Sequence, residues 1–431
     1  MNMTRLAPIL LSFAAALATF VLLRGSEPAA PVPAATAAPR ATGDTDAEIA
    51  RLQAAARSAS RAVAPRVALA SAYLQKARES GDTGFYSRAD ALLRAALARR
   101  PGDHDALVAS ASLALSRHDF RGALALARRA RAARPDALAA YPALVDALVE
   151  LGRFRAAART LQRLVDAKPA LAGYARVSYM RELHGDLAGA AAAMRRAISA
   201  GGPARESVAS VQALLGAIEL VRGRPRTARA AHRAALAAVP GYPGAEAGLA
   251  RLDAARGDLE AAIRRWRALA QRLPLPEYVL GLAEAELAAG RPGAARRDLA
   301  LIGAERRLLA AAGVDADAEL ALYEADHGSP RRAVALARRA WRAAPGLRAA
   351  DALGWALTRG GRPDAGLRWA RHAIALGAVD PLFRFHAGAA GLAAGAKREG
   401  RRQLDVALGH GLAGWPRQAA EARRLLEGDA R

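Results

Sequence analysis

Cysteine is absent from the 431 residues, asparagine occurs only at Asn2, and lysine occurs only at Lys76, Lys168 and Lys397. A chain without cysteine has no disulfide framework, thiolate metal site, iron–sulfur cluster or cysteine nucleophile. Aromatic residues make up only 5% of the chain, although 53% of it is hydrophobic. Much of the apolar share is alanine, so we expect a thin core with closely packed backbones.

Arginine dominates the charge of the chain. There are 64 Lys and Arg residues against 40 Asp and Glu residues, which gives a formal net charge of +24. A G+C-rich genome enriches both alanine and arginine, so codon bias and selection for an anionic ligand are alternative sources of this excess. The charge alone is weak evidence for nucleic acid, which is not predicted as a partner.

Residues 1–24 are predicted to be a signal anchor or a signal peptide. An uncharged, largely apolar run of 18 residues extends from Leu6 to Leu23 and as a helix would span about 27 Å. Arg24 follows it directly, and the best small-x-small cleavage site, Ala35-Thr36-Ala37, comes a dozen residues later. This arrangement favours a retained anchor over a cleaved signal, and both alternatives remain open.

Residues 25–46 are rich in proline, alanine and threonine and have no helical periodicity, so they are predicted to form a tether. A retained anchor predicts a bacterial inner-membrane protein whose folded domain lies in the periplasm. A cleaved signal predicts a periplasmic or secreted protein.

From residue 47 onward, apolar residues recur at spacings of three and four, which predicts helices, and a motif recurs every 33 to 38 residues. Each copy contains a residue that breaks its first helix: Gly84, His118, Gly152, Gly185, Gly223, Gly257, Gly290, Gly328, Gly361 and Gly395.

Two positions of the motif hold mostly small residues, as expected where the two backbones of a helix hairpin approach closely. Five residues after the break stand Ala89, Ala123, Ala157, Ala190, Ala228, Ala262, Ala295, Ala333, Gly366 and Gly400. Seven residues before it stand Ala77, Ala111, Val145, Ser178, Gly216, Ala250, Ala283, Ala321, Gly354 and Gly388. In six copies a proline seventeen residues after the break, such as Pro169, ends the second helix.

The segment Gly152-Arg153-Phe154 with Ala157 and Pro169 resembles the tetratricopeptide repeat. This resemblance implies an all-α solenoid of about ten stacked helix–turn–helix units, wound into a right-handed superhelix over residues 47–431 with terminal capping helices. The closing proline is missing at Arg307, Ala378 and Leu412, and we expect Leu299 to Val314 to continue the second helix of the seventh repeat by about a turn.

The resemblance implies that one face of the first helices lines a concave groove. Acids outnumber bases there, in contrast to the whole chain, and two aromatic residues share the face. The predicted groove residues are Asp105, Asp146, Tyr179, Glu182, Arg251, Glu277, Glu284, Asp315, Asp351 and Trp355, with Arg78 and Arg348 as the other bases. Such a groove suits an extended or helical peptide that carries positive charge. Unselected solvent-facing residues are the alternative.

The outer face of the second helices carries a basic stripe, ten residues after the break in seven of ten copies. Its members are Arg94, Arg128, Arg195, Arg233, Arg267, Arg338 and Arg371. The stripe fits either a solvated helix face or binding to a polyanion such as envelope polysaccharide, anionic lipid or nucleic acid.

Motifs typical of catalytic or cofactor-binding sites are weak in this sequence. The G-x-G-x-x-G at residues 409–414 follows a helix instead of a strand, so no dinucleotide cofactor is predicted. His118, His184 and His327 lie in repeats that are not neighbours, so no metal site is predicted. We therefore predict a non-catalytic scaffold that binds a protein or peptide partner through its groove, with polyanion binding as the alternative function.

Overall fold

The computed structural model describes residues 45–59, 61–201 and 205–428. Every regular element in this part of the chain is a helix, which confirms the predicted all-α solenoid of repeats. None of the described helices is long and apolar enough to cross a membrane. The predicted anchor and residues 25–44 of the predicted tether lie outside the described residues. Residues 45 and 46, also assigned to the tether, begin α1 (Thr45–Ser58).

Ten helix hairpins follow α1 and stack in chain order. They are α2 (Ala64–Ser80) with α3 (Gly84–Arg99), α4 (His104–Ser116) with α5 (Phe120–Ala133), α6 (Tyr141–Glu150) with α7 (Phe154–Ala167), α8 (Leu171–Glu182) with α9 (Leu187–Ala200), α10 (Arg205–Val221) with α11 (Pro225–Ala238), α12 (Pro243–Ala255) with α13 (Leu259–Arg272), α14 (Pro276–Ala288) with α15 (Pro292–Leu299), α17 (Asp317–His327) with α18 (Pro330–Ala343), α19 (Leu347–Arg359) with α20 (Pro363–Ala373), and α21 (Pro381–Ala393) with α22 (Lys397–Gly409). The helix α16 (Ile302–Ala311) lies between the seventh and eighth hairpins, and α23 (Pro416–Gly428) follows the tenth.

Helix starts are encoded locally by two kinds of residue. Asp119, Asp186 and Asp258 each precede a second helix, and their carboxylates accept a hydrogen bond from a backbone N–H in its first turn. Such caps satisfy donors that have no partner within the helix. Other helices begin at a proline, whose missing N–H costs nothing in the first turn.

The repeat alignment places small residues where the hairpins are tightest. All ten positions that follow the helix break by five residues are buried. The ten positions that precede the break by seven residues are buried as well. At Gly400 an added Cβ would lie 2.7 Å from the backbone nitrogen of Leu392, so the close approach leaves no room for a side chain.

The helix breaks adopt left-handed backbone at most of the predicted residues. Gly152 has φ of +68° and Gly185 of +72°, while His118, with φ of 59°, is the one non-glycine residue with positive φ within the described ranges. Gly84 was assigned wrongly as the break of the first repeat. The left-handed residue there is Gly81, and Gly84 already begins α3, so the first turn lies earlier in the motif than its counterparts.

The expected extension of the second helix in the seventh repeat is wrong. α15 ends at Leu299, and a separate helix, α16, begins at Ile302. α16 buries a narrow stripe that includes Ile302 and Glu305, while Leu308 on another face is 66% exposed. A break therefore replaces the continuous helix that the missing proline suggested.

The solenoid returns onto itself, so repeats far apart in the chain touch. Arg117 donates to the carbonyl of Ala312 at 2.8 Å, and Asp315 N–H donates to the carbonyl of Arg117 at 2.9 Å. His118 Nδ1 lies 2.7 Å from the carbonyl of Asp315. The rule that repeats meet only their neighbours, used above for the histidines, therefore fails here.

Other contacts between residues at a similar separation in the chain join the same successive turns of the superhelix. We call this set of contacts the seam. Arg121 donates to the carbonyls of Arg342 and Ala343, at 3.0 and 2.9 Å. A Cβ at Gly152 would lie 2.6 Å from the carbonyl oxygen of Pro345. The partners in these contacts are separated by between 189 and 222 residues when the His410 contact with Val221 is included. The concave side of the solenoid is therefore closed into an axial cavity.

Candidate binding site in the axial cavity

The axial cavity has a volume of about 320 Å³, within the range of small-ligand sites. Its walls come from the first two repeats, the fifth to tenth repeats and α23. Three predicted groove residues, Arg251, Glu277 and Glu284, line it together, as do Arg78 and Arg348. The aromatic part of the lining consists of Tyr86, Tyr242, Trp266, Tyr278, Tyr323 and Trp415.

One wall of the cavity is a charged notch, formed by Glu284 on α14 with Asp326 and His327 on α17. Arg417 in the first turn of α23 fills this notch. Its Nε donates to Glu284 and its Nη2 donates to Asp326 at 2.8 Å. His327 Nε2 lies 2.7 Å from Glu284 Oε1. Although burial opposes the shift, hydrogen bonds from His327 and Arg417 lower the pKa of Glu284.

The notch residues also have the composition of a small metal site, since one ligand atom from each lies within 4.8 Å of the others. Their observed bonding argues against that reading. The Arg417 guanidinium already supplies the positive charge, and it binds both carboxylates. A cation would have to displace this guanidinium, so the prediction of no metal site is retained.

Trp355 and Asp351, both predicted for the groove, support the notch from behind. Trp355 Nε1 donates to Asp326 Oδ1 at 3.0 Å, and its ring stacks on His386 with centroids 4.4 Å apart. His386 Nδ1 lies 2.9 Å from both carboxylate oxygens of Asp351. Asp351 and Trp355 are 1% and 2% exposed, so they position the notch and are not open to a partner.

A second part of the cavity lining contains two arginines that form no ion pair among the described residues. The Arg251 guanidinium lies between the rings of Trp266 and Trp415, 5.3 and 5.2 Å from their centroids. It makes no hydrogen bond or ion pair within the described part of the chain. Arg348 Nε and Nη2 are buried and also lack a hydrogen-bond partner there.

Glu277 and Glu319 lie near these two arginines without forming an ion pair with either among the described residues. Burial raises the pKa of Glu277 to about 7, and the charge of Glu319 adds to the shift. Glu277 is therefore partly protonated near neutral pH and neutralises the arginines only in part.

The remaining predicted groove residues do not join the cavity. Asp105 is exposed and pairs with Arg134, whereas Asp146 is buried and accepts two hydrogen bonds from Arg176, at 2.7 and 2.6 Å. Tyr179 and Glu182 are buried, and Tyr179 donates to Glu150 at 3.2 Å.

Asp315 lies at the seam, where its carboxylate accepts from the N–H of Asp317. The predicted acidic residues therefore do not form one open surface, because the superhelix closes over them and internal partners use their charge.

The basic stripe lies on the outer surface, with all seven arginines exposed. Four of them pair with carboxylates: Arg94 with Asp90, Arg195 with Glu219, Arg267 with Glu286 and Arg371 with Glu399. The other three, Arg128, Arg233 and Arg338, have no ion pair within the described ranges. The stripe therefore offers less free charge than its sequence indicates.

Sequence reasoning missed Arg417, Asp326 and His327 as site residues. Asp326 and His327 end α17 beside the helix break, and Arg417 lies beyond the last repeat, where no equivalent position exists for comparison. The available signal was Pro416, which is suited to the first position of a helix and so indicates one beginning at the cavity. The G-x-G-x-x-G nearby forms a turn in which Gly411 has φ of +88°.

Stacked hairpins around a lined axial cavity define the class of the protein as an α-helical repeat solenoid. Residues 114–177, from the end of α4 into α8, match the family described as tetratricopeptide repeat. This part of the chain is therefore tetratricopeptide repeat sequence, and the other described hairpins continue the same helix–turn–helix arrangement. No curated protein matches the chain. Tetratricopeptide repeats in general mediate protein–protein interaction or act as scaffolds, typically without catalysis.

Proposed function

We propose that the protein is a non-catalytic scaffold in the bacterial cell envelope, which holds an arginine-bearing helical segment of a partner protein on its concave side. The observation that carries this proposal is the docking of α23, which packs against the first helices α14 and α21. The chain's own terminal helix thus occupies the kind of groove that binds helical peptides in other interaction domains.

The contacts of α23 define the chemistry of the segment. An arginine at its amino-terminal turn enters the notch and binds two carboxylates from separate helices. The next residue, Gln418, donates to Glu284 at 3.3 Å, and Ala419 and Ala422 are buried on the same helix. A partner segment with an arginine followed by small residues at helical spacing would make the same contacts. Because α23 competes for the notch, binding of a partner requires its displacement.

A peptide of residues 415–428 tests this proposal when it is added to the full-length protein. We expect the peptide to bind the Arg417→Gln variant at least tenfold more tightly than the unmodified protein, because that variant holds its own α23 less firmly. Arg423→Gln is the matched control, since Arg423 is exposed on the same helix, and it should give no gain.

Two further measurements make the test specific. Combining Glu284→Gln with Arg417→Gln should remove the gain, and a peptide with glutamine in place of Arg417 should bind weakly to every variant. Equal peptide binding by the Arg417→Gln and Arg423→Gln proteins would show that the notch does not select an arginine-bearing helix.

The envelope location rests on the apolar run from Leu6 to Leu23 and on the tether that follows it. We propose an inner-membrane anchor with the repeats in the periplasm, and a periplasmic or secreted form if the segment is cleaved. The mass of the purified protein's amino-terminal peptide distinguishes the two forms.

The second candidate function is polyanion binding by the outer basic stripe, which is favoured by the exposure of all seven arginines. Such binding would weaken steeply with added salt, whereas a largely buried groove contact would change less. Replacing Arg128, Arg233 and Arg338 by glutamine should abolish polyanion binding and leave binding of the α23 peptide unchanged.

A further inference from the structure

The part of the cavity lining that contains Arg251 and Arg348 has features suited to binding an anion. Buried guanidinium groups in proteins are almost always hydrogen-bonded, because burial of an unpaired charge is costly. Arg348 Nε and Nη2 nevertheless have no partner among the described residues. These two nitrogens have almost no accessible surface, but the side chain lines the cavity, so a rotation of the guanidinium would bring it to an acceptor placed there.

Arg251 contributes a second guanidinium to the same cavity. Its Cζ lies over the rings of both Trp266 and Trp415, so the guanidinium is held against aromatic surface. An arginine held in this way is preorganised to donate two parallel hydrogen bonds to a carboxylate. Since neither ring can accept those bonds well, the edge of Arg251 still needs an acceptor.

The charge of the neighbouring groups limits the kind of anion. Glu277 and Glu319 line the cavity with the two arginines. They would repel a doubly charged phosphate more strongly than a singly charged carboxylate. A protonated Glu277 could in addition donate a hydrogen bond to the ligand. The rest of the lining, including Tyr86, Tyr278 and Leu382, is suited to an apolar or aromatic body.

We propose that the axial cavity binds a small organic monocarboxylate with an apolar or aromatic body, whose carboxylate is held by Arg251 and Arg348. This site is separate in chemistry from the notch, which accepts a cation, and the proposal does not depend on the partner segment described above. α23 contributes to both, because Trp415 immediately precedes it and Arg417 lies in its first turn.

Isothermal titration calorimetry of the full-length protein with 3-phenylpropionate, octanoate and naphthalene-2-acetate tests the proposal. We expect at least one acid to bind with a dissociation constant below 1 mM, roughly the weak end of specific ligand binding. The matched neutral amide should bind at least tenfold more weakly. This comparison uses the unmodified protein and so requires no variant to fold.

Variants then locate the carboxylate. Arg251→Gln and Arg348→Gln should each weaken binding of the acid at least tenfold, whereas Arg233→Gln, on the outer surface, should leave it unchanged. Because Trp266 and Trp415 flank Arg251, the acid should also change tryptophan emission, and Trp415→Phe should reduce that change.

Three results would overturn the proposal: no measurable binding of any of the three acids, equal binding of acid and amide, or undiminished binding by the folded Arg348→Gln and Arg251→Gln proteins.

Discussion

The notch and the part of the cavity lining that contains Arg251 and Arg348 differ in how their buried charges are paired. At the notch, Arg417 is matched by Glu284 and Asp326, and the set is closed by His327 and Trp355. Elsewhere in the lining, Arg251 lies over tryptophan rings and Arg348 Nε and Nη2 have no hydrogen-bond partner among the described residues, although Glu150, Glu277 and Glu319 lie near the two arginines. The difference shows that α23 pairs the charges of the notch, whereas the two arginines of the other region depend on nearby carboxylates with which they form no ion pair.

A buried ion pair outside the cavity, with both partners hydrogen-bonded to each other, provides the reference for this comparison. Asp146 and Arg176 are 4% and 1% exposed and are joined by two hydrogen bonds. We expect Asp146→Ala to lower the free energy of unfolding by about 3–5 kcal/mol, because it leaves the Arg176 charge buried and unpaired. Urea unfolding measures the loss. A change below about 1 kcal/mol would mean that this protein tolerates a buried, unpaired guanidinium. The unpartnered nitrogens of Arg348 would then be weaker evidence for a ligand site.

The pH dependence of stability tests the part of the lining that contains Arg251 and Arg348. The pKa of Glu277 is raised from 4.5 to about 7, so between these values the folded protein keeps a proton that the unfolded chain releases. The stabilising contribution of Glu277 is therefore fully present below about pH 4.5 and is lost as the pH rises to 7.

We expect Glu277→Gln to remove this loss and to raise stability at pH 8, relative to pH 4.5, by at most about 3 kcal/mol. Urea unfolding at the two pH values measures the effect, and the exposed Glu427→Gln is the control. If the free energy of unfolding changes equally with pH in the unmodified and Glu277→Gln proteins, Glu277 is not held protonated in the folded protein.

Overpacking a hairpin is expected to change the free energy of unfolding by an amount intermediate among these predictions. Ala262 lies on α13 with no exposed surface, so Ala262→Leu should overpack the hairpin and cost about 1–3 kcal/mol. Arg233→Gln, on the outer face, should cost almost nothing. Thermal unfolding compares the two variants, and equal melting temperatures would contradict the repeat alignment.

A small gain in stability is expected from replacing Arg348. Replacing an unpaired buried guanidinium by a side chain of similar length removes a desolvation cost, so Arg348→Met should raise stability by about 1 kcal/mol in ligand-free buffer. The same unfolding measurement serves here. A loss of stability as large as that of Asp146→Ala would show that Arg348 already has a strong internal partner.

The sequence predicts the hairpins well because their constraint is local. A small residue at Ala190 or Gly366 is required by the approach of two adjacent helices, and the constraint recurs in every copy. The irregular seventh repeat was harder, since the missing proline at Arg307 does not distinguish a longer helix from a broken one.

The site was predictable only in part. Offsets along the first helix place Glu284 and Arg251 on one face, because helical periodicity fixes which side chains share a face, and both residues line the axial cavity. Closure of the solenoid depends on small rotations accumulated over many repeats, which no single motif records. For that reason neither the burial of Asp351 nor the occupation of the notch by Arg417 followed from spacing.

The seam between Arg117 and Ala312 has a consequence for the order of assembly during synthesis. Its two sides are 195 residues apart, and chains emerge from the ribosome at about 5–20 residues per second. The turn of the second repeat therefore waits roughly 10–40 s for the segment it must touch. Early repeats have to remain soluble through that interval. A ribosome pause that lengthens the interval should therefore increase aggregation before the seam has formed.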